Sequence, residues 1–449
     1  MKILNMKLWG KTNIADSRVH RFTSEKDRKF DQLLALPDII GSIAHARMLG
    51  SVGLISGEDA GMLERELKLL YRQAETGELI IDPDCEDIHS HIEMALTKKL
   101  GDTGRRIHTG RSRNDQVILA MRLFAREGLK DITSGMQELF GVLIQMAEKH
   151  NQLPMPGYTH MQLAMPSSFG LWFSAFAESL AEDLIPVHSA YRMMDQNPLG
   201  SGAGYGSSYP VDREMTTSLL GFSGMNVNAV YAQMSRTRAE ITTAFALAAI
   251  ASTLSRLSND VCLYMGENYG LFSLPEAMTT GSSIMPHKKN PDVFELIRAR
   301  CNRLQQLPAQ LSAIAVNLPT GYHRDFQLFK ESLLPAFTDL MECLSMAGMM
   351  AGQLRVSSPV EGNPLYDRIY SVEEINRLTQ TGIPFREAHG LVARQIEAGV
   401  FKPDKRLTHT HTGSIGNLGL SLIREKWETN FRSINFDKAD QAIRQIIGN

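Results

Sequence analysis

What this chain has little of narrows its function before any motif is read. Among 449 residues there are four cysteines, and Cys85, Cys262, Cys301 and Cys343 stand far apart with no CxxC pair. That spacing fits neither a disulfide framework nor a zinc cluster, and it points to a reducing, cytoplasmic compartment. Charge of one sign is also missing: 47 lysines and arginines face 49 aspartates and glutamates, for a formal net charge of −2. Such a balance leaves no overall electrostatic footprint for nucleic acid or for an anionic membrane. Aromatic residues make up 7% of the chain, and none is interleaved with the basic cluster Arg105, Arg106, Arg111 and Arg113, so stacking on bases has no platform there. Long apolar runs are absent too. The stretch from Ile241 to Ser255 is closed by Glu240 and Arg256, short of the roughly 20 residues a membrane helix needs. The opening MKILNMKLWGKTN lacks the apolar centre of a secretory signal. Nucleic-acid and membrane partners are therefore not expected.

What remains is the composition of a folded protein, 43% hydrophobic and 21% charged. The length suits two or three domains. Strand signals are sparse, whereas long windows without glycine or proline recur, so the expected fold is all-α. Ala239 to Met265 is the clearest such window, with Gly266 as its stop. At about 1.5 Å per residue it forms a rod of roughly 40 Å, apolar on several sides. Gln116–Lys149, Ser167–Ile185, Asp292–Leu307 and Ala336–Val356 are similar. Together they predict a central bundle of long helices. The first residues, to about 109, read as shorter helices, including Ser56–Thr76 with Ser56 as N-cap three residues before Asp59. The stretch SSPVEGNPLYDR reads as a linker. The expected domains are 1–109, 110–357 and 358–449.

The most informative stretch is TGSSIMPHKKNPD, from Thr280 to Asp292. Two serine hydroxyls and two lysines stand just before a helix start, where backbone N–H groups and the helix dipole favour negative charge. Residue types alone leave two readings open, an anion site and an ordinary capped surface loop. The stretch is similar to the signature loop of the fumarase/aspartase superfamily, GSSxMPxKxNP. Four further elements resemble the argininosuccinate lyase family within it: EDIHSHIE (86–93), HTGRSRNDQ (108–116), MPGYTHMQLAMP (155–166) and LPTGYHRDFQLFKE (318–331). PLGSGAGYG at 198–206 matches as well. The resemblance spans about residues 5 to 420. HKKNP is also close to the HKRNP of adenylosuccinate lyases, which makes that activity the alternative.

The resemblance implies a homotetramer with active sites shared between subunits, acting on argininosuccinate without cofactor or metal. It implies β-elimination to arginine and fumarate. The proton to be removed lies beside a carboxylate, so charge builds on an already anionic group, and cations and N–H donors must surround it. By the family's pattern Ser282 is the base, activated by Lys288; His160 is the acid side of the pair and Glu295 its orienting carboxylate. Substrate contacts fall on Thr23, His89, Arg111, Arg113, Asn114, Thr159, Asn290, Tyr322, Gln327 and Lys330. The family also places an arginine before the long central helix, and Arg236 and Arg238 flank that position.

Three other features carry less. GSGAGYG lacks the preceding strand and following helix of a dinucleotide loop. His409 and His411 have no carboxylate near them in sequence to complete a metal site. The 23 methionines read as core filler.

Overall fold

The computed structural model describes residues 17–360 and 362–448; the opening MKILNMKLWGKTN and the first residues of the expected N-terminal domain lie outside these. Five long helices form the centre: α1 (Arg113–Lys149), α2 (Phe169–Met194), α3 (Ala229–Tyr264), α4 (Asp292–Leu304) and α5 (Leu328–Ala351). Helix α1 packs on α2 and α5, and α3 packs on α2, α4 and α5. Most of their apolar residues join one continuous core. Two glycines allow close approach. A Cβ at Gly128 would overlap the Phe337 ring, and at Gly170 one would meet the backbone of Ala147 and Asn151. Beside that contact Phe124 and Phe337 pack edge to face at 5.5 Å.

Helix limits follow from local chemistry. Helix α1 starts three residues before the expected window because Ser112 and Asp115 form a reciprocal capping box. Helix α3 starts ten residues early: Asn228 Oδ1 accepts from the amides of Val230 and Tyr231 at 2.9 and 3.0 Å. Helix α2 continues through Pro186 to Met194 instead of stopping. The N-cap of Gly57–Glu75 is Ser56, accepting from the Asp59 amide at 3.0 Å, as its sequence predicts.

The fold is mostly helical but not all-α. Pro154–Thr159 (β1) and Gln162–Ser168 (β2) form an antiparallel hairpin, and two further two-stranded pairings occur among the described residues. The reading of 357–368 as a linker also needs correcting, because Val360 and Tyr366 join Ile369 and Tyr370 in a small core of their own. By length and composition, the helical stretch 21–51 and helix α3 are apolar enough to cross a membrane. Both are packed core helices, and α3 carries Arg236 and Glu240 buried along its length.

Candidate active site

A cavity of about 440 Å³ lies where the N-terminal helices meet the start of α1, the N-terminal part of α3 and the turn before α5. Each wall has a local cause. Asp87 caps the helix Ile88–Leu100, accepting from the Ser90 amide at 2.8 Å; this sets His89 in that helix's first turn. Asp115 accepts from Ser112 N at 2.9 Å through one oxygen and from Gly200 N and Gly202 N, both at 2.9 Å, through the other. Gly200 and Gly202 have φ of 84° and 61°, a region open to glycine at no steric penalty. The GSGAG segment is thus a backbone cradle for the Asp115 carboxylate, and it holds the first turn of α1 so that Arg113 and Asn114 face the cavity.

Charge in the cavity is paired. Lys330 is buried against Asp27 at 2.6 Å and Asp31 at 2.5 Å. Burial pushes the Asp27 carboxyl up to about 6 even against the lysine, and Lys330 is held above its ordinary range because the two carboxylates outweigh burial. Arg113 reaches Glu86 and Asp87, both at 3.2 Å. Arg324 bonds Glu86 at 2.8 Å and the Thr23 carbonyl at 3.1 Å, and Gln327 donates to that same carbonyl at 2.9 Å. Arg236 is buried, 4.9 Å over the Phe326 ring, and donates to the Phe326 carbonyl. Two histidines share the cavity, and their proton affinities are shifted in opposite directions. His108 is lowered to about 4 by burial, with Arg111 and Arg113 adding to it. Burial would also depress His89, but Asp38 reverses this and holds it above its usual value. Acids and bases together line a pocket suited to a ligand that itself carries both signs.

Of the residues named from sequence, this cavity gathers His89, Arg113, Asn114, Tyr322, Gln327 and Lys330. Arg111 is not among its lining: it is buried behind the wall, where it donates to Ser42 Oγ at 3.0 Å. The side chain of Thr23 turns back to the Val19 carbonyl at 2.9 Å, and the neighbouring hydroxyl, Ser24, lines the cavity. Of the two arginines flanking the family's position, Arg236 lines the cavity and Arg238 is exposed. Asp27, Asp31, Glu86 and Arg324 were not anticipated. The Asp27–Asp31 spacing of one helical turn was the available signal for a lysine clamp.

The other expected residues stand elsewhere. The loop from Thr280 to Asn290 is pinched at its base by paired backbone bonds between those two residues and by Asn290 Nδ2. Its body is exposed, with Ile284 at 85%. Ser282 Oγ accepts from the amides of Ile284 and Met285 at 3.3 and 3.1 Å. Lys288 and Glu295 are exposed. Thr159 and His160 lie at the tip of the β1–β2 hairpin and are not part of the cavity lining. Thr159 pairs with Gln162, so His160 and Met161 form a two-residue turn with φ of 52° and 62°. Two left-handed residues are what such a hairpin requires, but Asn-Gly is the usual choice. Placing histidine and methionine there costs of order 1 kcal/mol each, and strain of this kind concentrates at functional sites. One chain therefore brings the cavity residues together and leaves the loop and the hairpin tip apart from them. Among the described residues no three His, Cys, Asp or Glu side chains gather to hold a metal. His409, with no carboxylate near it in sequence, is half-buried and paired with the distant Glu373 at 3.0 Å.

The chain matches the family model described as Lyase over residues 6–305. It is 50% identical over 442 residues to an argininosuccinate lyase of Phocaeicola vulgatus, covering 98% of this chain and 99% of the relative. It is equally similar to that of Bacteroides thetaiotaomicron, with the same coverage. Among solved structures, an EDDS lyase variant with bound fumarate superposes with a TM-score of 0.77 at 21% identity, covering 93% of this chain and 90% of that one. Fold and family match together define a lyase of the fumarase/aspartase superfamily. Within that superfamily, the chain belongs to the argininosuccinate lyase family.

Proposed function

We propose that this enzyme splits argininosuccinate into L-arginine and fumarate by β-elimination, as a step of arginine biosynthesis. The observation that carries the reading chemically is the setting of Ser282, whose oxygen accepts two backbone N–H bonds. Donors aimed at a hydroxyl oxygen stabilise the alkoxide that proton abstraction requires. Ser282 takes the proton beside the succinyl carboxylate, with Lys288 in the same loop offsetting the charge that spreads into that carboxylate. The C–N bond to the guanidino group then breaks as the C=C bond of fumarate forms. The leaving nitrogen receives its proton from the His160 side, which Glu295 orients. Arg113, Asn114, His89, Tyr322, Gln327 and Lys330 hold the substrate, whose mixed charge matches the cavity. Thr159 and Asn290 complete the contacts from the hairpin and the loop.

This assignment needs more than one chain. Exposed apolar side chains line the long helices, including Ile185 on α2, Met234 and Phe245 on α3 and Met349 on α5, and covering them by copies of the same chain supports a tetramer. The loop of one subunit and the hairpin of another would then close the cavity of a third. Three domains, 1–109, 110–357 and 358–449, and a cytoplasmic location complete the proposal; the free thiols of all four cysteines suit a reducing compartment.

Ultraviolet detection of fumarate tests the reaction, with argininosuccinate and adenylosuccinate offered in parallel. Release from argininosuccinate alone is expected. Comparable turnover of adenylosuccinate would move the enzyme to that activity.

A further inference from the structure

Behind the cavity wall stands a buried acid, Asp38, to which the proposed reaction assigns no role. Asp38, in the helix Ala35–Ser51, is 2% exposed and does not line the cavity. One of its oxygens meets His89 Nδ1 at 2.9 Å, and Gln116 Nε2 bonds both oxygens at 2.8 and 3.1 Å. A carboxylate only accepts, so Nδ1 of His89 must carry the hydrogen. The other ring nitrogen, Nε2, is buried without a hydrogen-bond partner among the described residues, on a side chain that lines the cavity. A fully buried, unsatisfied ring nitrogen at a cavity wall marks a contact that a ligand completes.

We propose that Asp38 is a positioning residue that keeps His89 a cationic donor, its Nε2–H directed to a carboxylate oxygen of the substrate. The inference rests on the argininosuccinate reading, whose substrate supplies such carboxylates. The charged groups facing His89 agree. Asp31 from the Asp27–Asp31 helix and Asp87 from the cap of its own helix add to Asp38 in favouring the protonated ring. The opposing cations are already engaged, Arg113 on Glu86 and Asp87, and Lys330 on Asp27 and Asp31. His108 is neutral above about pH 4 and offers no competing charge. Arg111, behind the wall, contributes to the field at Asp38, but its hydrogen bond goes to Ser42. A charge-assisted hydrogen bond from His89 is about twice as strong as a neutral one, and it is lost when the ring deprotonates.

The sign of the pH effect follows. A group held protonated by a neighbouring carboxylate loses its proton at lower pH once that carboxylate is neutralised, by about one unit or more. Asp38→Asn keeps an acceptor for Nδ1 and removes the charge. The test is KM for argininosuccinate against pH, by fumarate release, for wild type, Asp38→Asn, His89→Asn and the double variant. Asp38→Asn is expected to raise KM roughly tenfold in the pH range where wild-type His89 is still protonated and the variant's is not, with kcat within about twofold, since binding is lost more than transition-state stabilisation. Its rise in KM begins at lower pH than in wild type, and in His89→Asn that rise disappears. In the double variant the Asp38 change adds nothing, because it acts only through His89. A wild-type enzyme with no turnover of argininosuccinate overturns the functional reading. With turnover present, an unshifted KM profile in Asp38→Asn, or an Asp38 effect that persists without His89, overturns the inference alone. If Asp38→Asn does not assemble, the nitrogen-15 imidazole shifts of the wild-type tetramer decide, with the His89 signal identified by its loss in His89→Asn. A doubly protonated ring at neutral pH is expected, and a neutral ring would contradict the proposal.

Discussion

The binding cavity and the loop from Thr280 to Asn290 are built on opposite principles. In the cavity every wall is over-determined: Asp115 takes three backbone N–H bonds, Lys330 two carboxylates, Arg113 two more. The loop is pinned to the fold at its base, and its serines and lysines are half-exposed or exposed. The hairpin tip resembles the loop, with His160 strained and open. Groups proposed to hold substrate are thus preorganised within one chain, at the expense of burying many charges. Groups proposed to move protons are presented outward, where only another molecule can complete their surroundings. In the proposed tetramer, rigid binding walls and a separately supplied chemical half would make a site that exists only in the assembly.

The sharpest way to break that contrast is to remove a group from each side. Ser282→Ala takes away the proposed base and should lower kcat by at least about 10³ while leaving the melting temperature and KM nearly unchanged. A KM effect larger than the kcat effect would place Ser282 on the binding side instead. Lys330→Met acts in the opposite manner. It leaves Asp27 and Asp31 buried without their cation, and losing one partner of a buried pair costs about 3–5 kcal/mol. Thermal denaturation should register this as a marked fall in stability, and an unchanged melting temperature would mean that the cluster is not a structural clamp. The smallest effect is expected from Met161→Gly, which relieves one strained turn residue at φ 62°. A slight gain in stability, of about 1 kcal/mol or less, with turnover retained would confine the functional demand at the turn to His160.

Legibility in the sequence divides along related lines. Local chemistry could be read: Ser56 caps its helix, and the long helical windows are long helices. The limits failed where a rule had an exception. Pro186 looked like a helix end, yet α2 continues through it. The β1–β2 hairpin went unread among sparse strand signals; it carries Pro154, Pro156 and Pro166, and in a two-stranded hairpin every strand is an edge, where proline is tolerated. Within the candidate site, six cavity residues could be named from motifs, whereas Glu86 and Arg324 in those same motifs, and the buried partners that set the charges, were not. Asp38, Asp27 and Asp31 lie in helices that look ordinary, and their roles depend on contacts with residues more than fifty to three hundred positions away. Arg236 and Arg238 differ only by which face of α3 they occupy.

The proposal that the chemical half of each site comes from other subunits than the cavity makes a direct demand on mixed tetramers. It is tested by refolding together two inactive variants, Ser282→Ala and His160→Asn, in a mixing series assayed for fumarate release. If Ser282 and His160 meet across an interface, some sites in each hybrid tetramer receive neither defect, and part of the wild-type activity returns. Hybrids that form by mass spectrometry but remain no more active than either variant refolded alone would contradict the account.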